Sequence, residues 1–84
     1  MQEQRKKLLK HLGQIIRKYR NNQSISKLSN EIDLSKSIWW EVEKGNKDIQ
    51  ISTFWRIAEG LDIKPSELLK ELEKTMDENF SFLD

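Results

Sequence analysis

Between Ser24 and Gly45 the chain has room for two short helices and little else. Ser24 and Ser35 are both good N-cap residues, and each opens an apolar pattern at helical spacing. Leu28 and Ile32 follow the first serine at i, i+4; Ile38, Trp39 and Val42 follow the second. Only Asp33-Leu34 separates the end of one pattern from the cap of the next. A link that short makes the two helices turn sharply against each other, as a helix-turn-helix unit. Gly45 gives the second helix a stop.

The second of these helices is two-sided. At about 100° per residue, with Lys36 as zero, Ile38, Val42 and Trp39 fall at roughly 200°, 240° and 300°. On the same scale Lys36, Trp40, Lys44, Ser37 and Glu41 fall at roughly 0°, 40°, 80°, 100° and 140°. One side is an apolar stripe that must be buried. The other carries hydrogen-bonding groups and one large aromatic. Such a helix has a back to be held and a front free for a groove, although an ordinary amphipathic surface helix has the same pattern.

The 84 residues make one domain, 1–84. A chain this short buries a modest fraction of its surface, so the core must be compact. There is no cysteine, which excludes disulfides and thiolate metal sites. His11 is the only histidine, too few for a transition-metal site, and it reads as a surface helix residue. No nucleophile–base set and no glycine-rich phosphate loop stands out, so neither an enzyme nor a cofactor-binding chain is expected. The N-terminus is charged with no long apolar run behind it, and no segment is long enough to span a membrane. A reducing, cytoplasmic location is the expectation.

The formal net charge of +1 hides an asymmetry. Residues 1–20 carry seven basic side chains against Glu3 alone, residues 21–47 balance four lysines against four acids, and residues 48–84 carry nine acids against four basic groups. The basic end can face a polyanion, and the acidic end should face away from one. Charged, solvated helices give the same pattern.

Three further helices complete the reading. The first runs over 2–21, with Leu8, Leu12, Ile15, Ile16 and Tyr19 at spacings of three and four. Gly13 interrupts it at a propensity cost of roughly 1 kcal/mol, which a close helix–helix approach would explain. The residues up to about Lys7 lack apolar partners and read as a fraying end or an arm. Asn21-Asn22-Gln23 is a polar break. After the turn residues 45–48, Ile49 and Ile51 read as anchors and Ser52 as the cap of a fourth helix. That helix carries Phe54, Ile57, Ala58 and Leu61, ends at Gly60, and leaves Trp55 beside its stripe. Pro65 and Glu67 open a fifth helix whose stripe is Leu68, Leu69, Leu72 and Met76. Residues 77–84 form a short, partly apolar tail.

Taken in order, these pieces resemble the Cro/lambda-repressor-type (XRE-like) helix-turn-helix family. The resemblance covers about 12–69. It is carried by Leu12-Gly13, Ile16-Arg17 and Arg20; by Leu28 and Ser29; by Asp33-Leu34-Ser35 at the turn; by Trp39, Val42 and Glu43-Lys44-Gly45. Ile51, Phe54, Ile57-Ala58, Leu61, Ile63, Leu68 and Leu69 continue it. No one piece is specific; the ordered set is. Three departures stand out. The link between the first two helices is shorter than usual. Asp33 stands where the family has a turn glycine, and aspartate tolerates a left-handed backbone better than most residues. Ile25 stands where a phosphate-binding glutamine is common.

The resemblance implies an all-α, five-helix DNA-binding domain with its helix-turn-helix at helices 2 and 3. It implies a small, homodimeric, sequence-specific transcriptional regulator, a repressor or controller, associated with the nucleoid. Its partner would be double-stranded DNA carrying an inverted repeat with half-sites about one helical turn apart. Carried over position by position, the base-reading residues are Lys36, Ser37, Trp40 and Glu41, the same polar front. Lys36 suits guanine O6 or N7, Glu41 a cytosine amino group, and Trp40 a thymine methyl or sugar. Trp40 could equally pack on the first helix or on a partner subunit, and Glu41 could pair with Lys44. Phosphate contacts fall to Ser24, Ser26, Lys27, Lys44, Asn46 and Lys47, with Arg5, Lys6 and Lys7 as an arm or a solvated helix end. Glu43 points off the front, and the family's structural ion pair gives it Arg17 or Arg20.

Trp55, Leu72, Met76, Phe80, Phe82 and Leu83 exceed the needs of a minimal core, and they suggest a dimer interface or local packing of the tail. The alternative use of the same fold is an antitoxin or protein-interaction module that docks a partner through its acidic fifth helix and tail.

Overall fold

A nineteen-residue helix, α1 (Gln2–Arg20), is the longest element of the structure, a computed structural model described over residues 2–83. Four shorter helices follow: α2 (Ile25–Glu31), α3 (Lys36–Glu43), α4 (Ile51–Gly60) and α5 (Pro65–Thr75). Among the described residues there is no strand. The fold is all-α. Helix α1 packs on α3 and α5, α2 packs on α3, and α4 packs on α5.

The two serine caps form as the sequence predicts. Ser24 Oγ accepts from Lys27 N–H at 3.4 Å, and Ser35 Oγ accepts from Ile38 N–H at 3.1 Å. The core gathers Leu12, Ile15 and Ile16 from α1, Leu28 from α2, and Trp39 and Val42 from α3; Phe54, Ile57, Ala58, Leu68 and Leu72 come from α4 and α5. Trp39, Ile16, Leu28, Ile57 and Leu68 are completely buried.

Three helices stop in the same way. Each ends in a residue with a left-handed backbone: Asp33 (φ 54°), Gly45 (φ 79°) and Asp62 (φ 58°). After α2, Leu34 N–H reaches Ser29 O at 2.9 Å and Asp33 N–H reaches Asn30 O at 3.4 Å. After α3, Asn46 N–H reaches Glu41 O and Gly45 N–H reaches Val42 O, both at 3.0 Å. After α4, Ile63 N–H reaches Ala58 O and Asp62 N–H reaches Glu59 O, both at 3.0 Å. These are Schellman motifs, and two of them use aspartate with an apolar residue next, Leu34 or Ile63. The expected tolerance of Asp33 for its turn is realised.

Three expectations need correction, at Ser52, Ile51 and Leu69. The helix read over 2–21 forms from Gln2, and its first residues are an exposed helix end; Leu8 and Leu9 are half-buried behind them, and Arg5 Nε meets Asp48 Oδ2 at 3.1 Å. Ser52 does not cap α4, because the N-cap is Gln50, two residues earlier, and it makes no side-chain bond. Ile51 is therefore 75% exposed rather than an anchor. Gly60 is the last residue of α4, as read, with the left-handed residue at Asp62; beside α2 a Cβ on Gly60 would come 2.7 Å from Ile32 Cγ2. Leu69 does not join the stripe of α5. Leu68 and Leu69 project about 100° apart on a helix, so Leu68 and Leu72 take the core side and Leu69 is 55% exposed.

Candidate nucleic-acid interface

Helix α3 is held from behind by packing and by one carboxylate. Trp39 is buried completely and Val42 nearly so. Gly13 lets α1 lie against the end of α3: a Cβ there would stand 2.5 Å from Glu43 O and 2.6 Å from Val42 O. The predicted close approach is therefore between α1 and the last carbonyls of α3.

Glu43 takes three donated bonds. Arg20 Nε donates at 2.5 Å to Oε2 and Nη2 at 3.0 Å to Oε1, a bidentate pair, and Trp39 Nε1–H donates to Oε2 at 2.6 Å. Only 5% of the Glu43 side chain and 16% of the Arg20 side chain are exposed. Arg20 also donates to Gln23 O at 3.0 Å, which ties the link before α2 to the same cluster. Of the two candidate partners, Arg20 forms the pair, while Arg17 is exposed without it. The indole donor was not foreseen; a tryptophan four residues before a glutamate on one helix is the signal that could have found it.

The bond from Glu43 raises the Arg20 pKa above its ordinary value, against a lowering by desolvation. A raised folded-state value means the contribution is full below the unfolded pKa and fades only in strong alkali. Arg20 therefore stays charged, and its contribution stays whole, across ordinary pH.

The front of α3 is open. Lys36, Ser37 and Trp40 are exposed, Trp40 by 50%. Trp40 stands outside the core, and the Lys44 ammonium stands 5.5 Å from its ring centroid. Glu41 is held loosely: Lys44 Nζ lies 3.8 Å from Oε1, and Asn46 Nδ2 donates to Oε2 at 3.3 Å. The expected Glu41–Lys44 pair is present. Lys36, Ser37, Trp40 and Glu41 thus share one face, with Lys44 and Asn46 at its far end.

The other candidates sit at helix ends. Ser24 is used in capping α2, and Ser26 and Lys27 are exposed on its first turn. Lys47 is exposed in the loop after α3. That loop rests on α1, since a Cβ on Gly45 would stand 2.8 Å from Lys10 Cα. His11 is half-buried, its Nδ1 3.2 Å from Thr75 Oγ1. Sequence reasoning missed Arg56. From α4 its Nη1 donates to Ile32 O and Asp33 O, both at 3.2 Å, and pins the carbonyls between α2 and α3.

The apolar residues beyond the minimal core divide. Leu72 is 5% exposed and Met76 packs against the core, so Leu72 is withdrawn from any interface. Phe80 and Phe82 meet edge to face with centroids 5.7 Å apart, and Phe80 closes a groove with Leu8, Leu69 and Met76. Phe82 and Leu83 are exposed. A different apolar groove runs between α4 and α5, lined by Ile51, Phe54, Trp55, Pro65 and Leu69. Trp55 belongs to it and is 54% exposed.

Among the described residues no group of three His, Asp or Glu is placed to hold a metal ion, and no helix is long and apolar enough to cross a membrane. No protein-family model matches the chain, and no curated protein matches it.

Proposed function

We propose that the protein is a sequence-specific DNA-binding regulator of the Cro/lambda-repressor-type helix-turn-helix kind, with α2 and α3 as the helix-turn-helix and α3 entering the major groove. One observation carries this reading: α3 is fixed from behind by Glu43, Arg20 and Trp39 while its front offers only groups suited to base edges. Lys36 and Ser37 lead at the N-terminal end, where such a helix meets bases, and Trp40 and Glu41 follow one turn later. Ser26, Lys27, Asn46 and Lys47 flank that front as phosphate contacts, and Lys44 moves from Glu41 to a phosphate on binding. The acidic face of α5 turns to solvent or a partner.

The regulator acts as a two-fold homodimer, because one such module reads too few base pairs for genomic specificity. The exposed Ile51, Trp55 and Leu69 supply the apolar face that a second copy covers. It works in the cytoplasm on the nucleoid, as a repressor or controller. Neither catalysis nor a cofactor has a part in it.

Selection of bound fragments from total genomic DNA tests this. The expected result is a palindromic motif with half-sites about 10 base pairs apart, centre to centre. In the bound state Lys36→Ala relaxes preference at one base, costing about 1–3 kcal/mol, while Lys47→Ala weakens all sequences alike. A pool with no enriched motif, or a protein recovered only with a second, different chain, overturns the proposal.

A further inference from the structure

We infer that the outer face of α1, from Lys6 through Lys10 to Arg17, is a second DNA-backbone contact beside α3; the inference rests on the DNA-binding reading above.

The faces of α1 are assigned by what meets them. Gly13 meets the end of α3, Arg5 and Leu9 lie by the loop carrying Gly45 and Asn46, Leu12 and Ile15 enter the core, and His11 meets α5. At about 100° per residue one arc remains, between Gly13 and His11. On it, within about 60° of Gly13, lie Lys6, Arg17 and Lys10. All three are exposed, and Glu3 is the one acid of the helix.

Three cations of this region are matched, while Lys7 and Lys18, farther round α1, are exposed like the row itself. Arg5 pairs with Asp48, Arg20 with Glu43, and Lys44 with Glu41. Among the described residues Lys6, Lys10 and Arg17 have no such pair. A row of unpaired cations on a helix repels itself and gains from a polyanion.

Its place selects the polyanion. The backbone of Lys10 touches the turn that ends α3, and that turn carries Lys44 and Lys47. A duplex seated on the front of α3 therefore brings its backbone to the edge of α1. Lys6 to Arg17 spans about 16 Å at 1.5 Å per residue. A DNA strand offers a phosphate about every 3.4 Å of axis, so each cation reaches a separate one. Lys6 is part of the backbone arm read from the sequence; Lys10 and Arg17 are not among the phosphate contacts read there, so this face adds both to that reading.

The test is salt dependence. The full chain is titrated into a labelled 30-base-pair duplex of mixed sequence, about 30 being two to three helical turns, between 50 and 200 mM salt, the range over which phosphate contacts tell. The Lys6→Ala/Lys10→Ala double variant should lower the slope of log K against log salt by about 1.8, or 0.9 per phosphate lost. Lys6→Gln/Lys10→Gln should do the same, which guards against an effect of helix packing. Lys70→Ala/Lys74→Ala on α5 removes equal charge and should leave the slope alone. An unchanged slope in both Lys6/Lys10 variants overturns the inference. So does an equal fall in the Lys70/Lys74 variant, which would make it a matter of net charge. Salt-sensitive self-association lost in the Lys6/Lys10 variants, with the DNA slope intact, would give the face to a second copy and overturn it too. If the native chain binds no duplex, the proposed function falls with it; if the native chain binds and only the Lys6/Lys10 result fails, the inference falls alone.

Discussion

On its inner side α3 presents Trp39 and Val42 to a closed core and Glu43 to three donors; on its outer side Lys36, Ser37 and Trp40 stand in solvent and Glu41 has only a 3.8 Å ammonium and a 3.3 Å amide. One eight-residue helix thus carries both an over-determined face and a nearly free one. The difference has a physical cause. A buried carboxylate is tolerated only when its lone pairs are filled, and filling them with Arg20 and the Trp39 indole fixes three side chains at once. Exposed charges at such distances gain little and stay adaptable. A helix held this way can offer a variable front without moving its frame.

The sharpest way to break this contrast is to remove the buried carboxylate. Glu43→Ala leaves Arg20 partly buried without its partner and the Trp39 N–H without an acceptor. The expected loss is about 3 kcal/mol of stability. It is read as a lower urea midpoint with the slope of the transition unchanged. A midpoint within error of the native one would mean that the back of α3 is held by packing alone.

Gly13→Ala should come next. Alanine favours a helix over glycine by about 1 kcal/mol, so an open site would be stabilised. Here the added Cβ meets backbone oxygens of Val42 and Glu43, which cannot rotate away. Overpacking of this kind costs about 2 kcal/mol net. A rise in thermal midpoint would show that α1 and α3 are less tightly apposed than the geometry requires.

These two sites also mark what could be read from the chain. Gly13 announced a close approach, because a glycine inside a helix is costly without a reason; the arginine partner of Glu43 was implied by the resemblance. Ser24 and Ser35 were legible as caps because the hydroxyl acts on a donor three residues on, wholly within a local stretch. A misreading came where two local patterns competed. Ser52 looked like a cap, yet Gln50 takes the N-cap position and α4 starts at Ile51. Gly60 was legible as the last residue of α4, and Asp62-Ile63 then supplied the left-handed residue and the apolar follower. Arg56 was illegible, because its acceptors are carbonyls 23 and 24 residues away. The front of α3 was legible as a face by angle, because helical periodicity alone sets side-chain direction.

A smaller effect, of opposite sign, is expected behind the same helix. Ser29 on α2 is 3% exposed, and among the described residues its hydroxyl has no hydrogen-bond partner. Ser29→Ala removes a buried polar group that nothing satisfies and should stabilise by about 1 kcal/mol. A loss of stability would mean that the hydroxyl is bonded in solution, and that the inner side has a second polar anchor.

The smallest effect on stability belongs to the front. Trp40→Ala and Glu41→Gln alter exposed groups whose only partners are Lys44 and Asn46. Each should leave the unfolding free energy within about 0.5 kcal/mol of the native value. The same variants should change which DNA sequences are preferred, by about 1–3 kcal/mol at one base position for Glu41→Gln. The pairing of these results is what matters. A residue that costs nothing to the fold and much to recognition lies on a front. If Trp40→Ala instead lowered stability as Gly13→Ala is expected to, Trp40 would belong to the frame, and the free face of α3 would shrink to Lys36, Ser37 and Glu41.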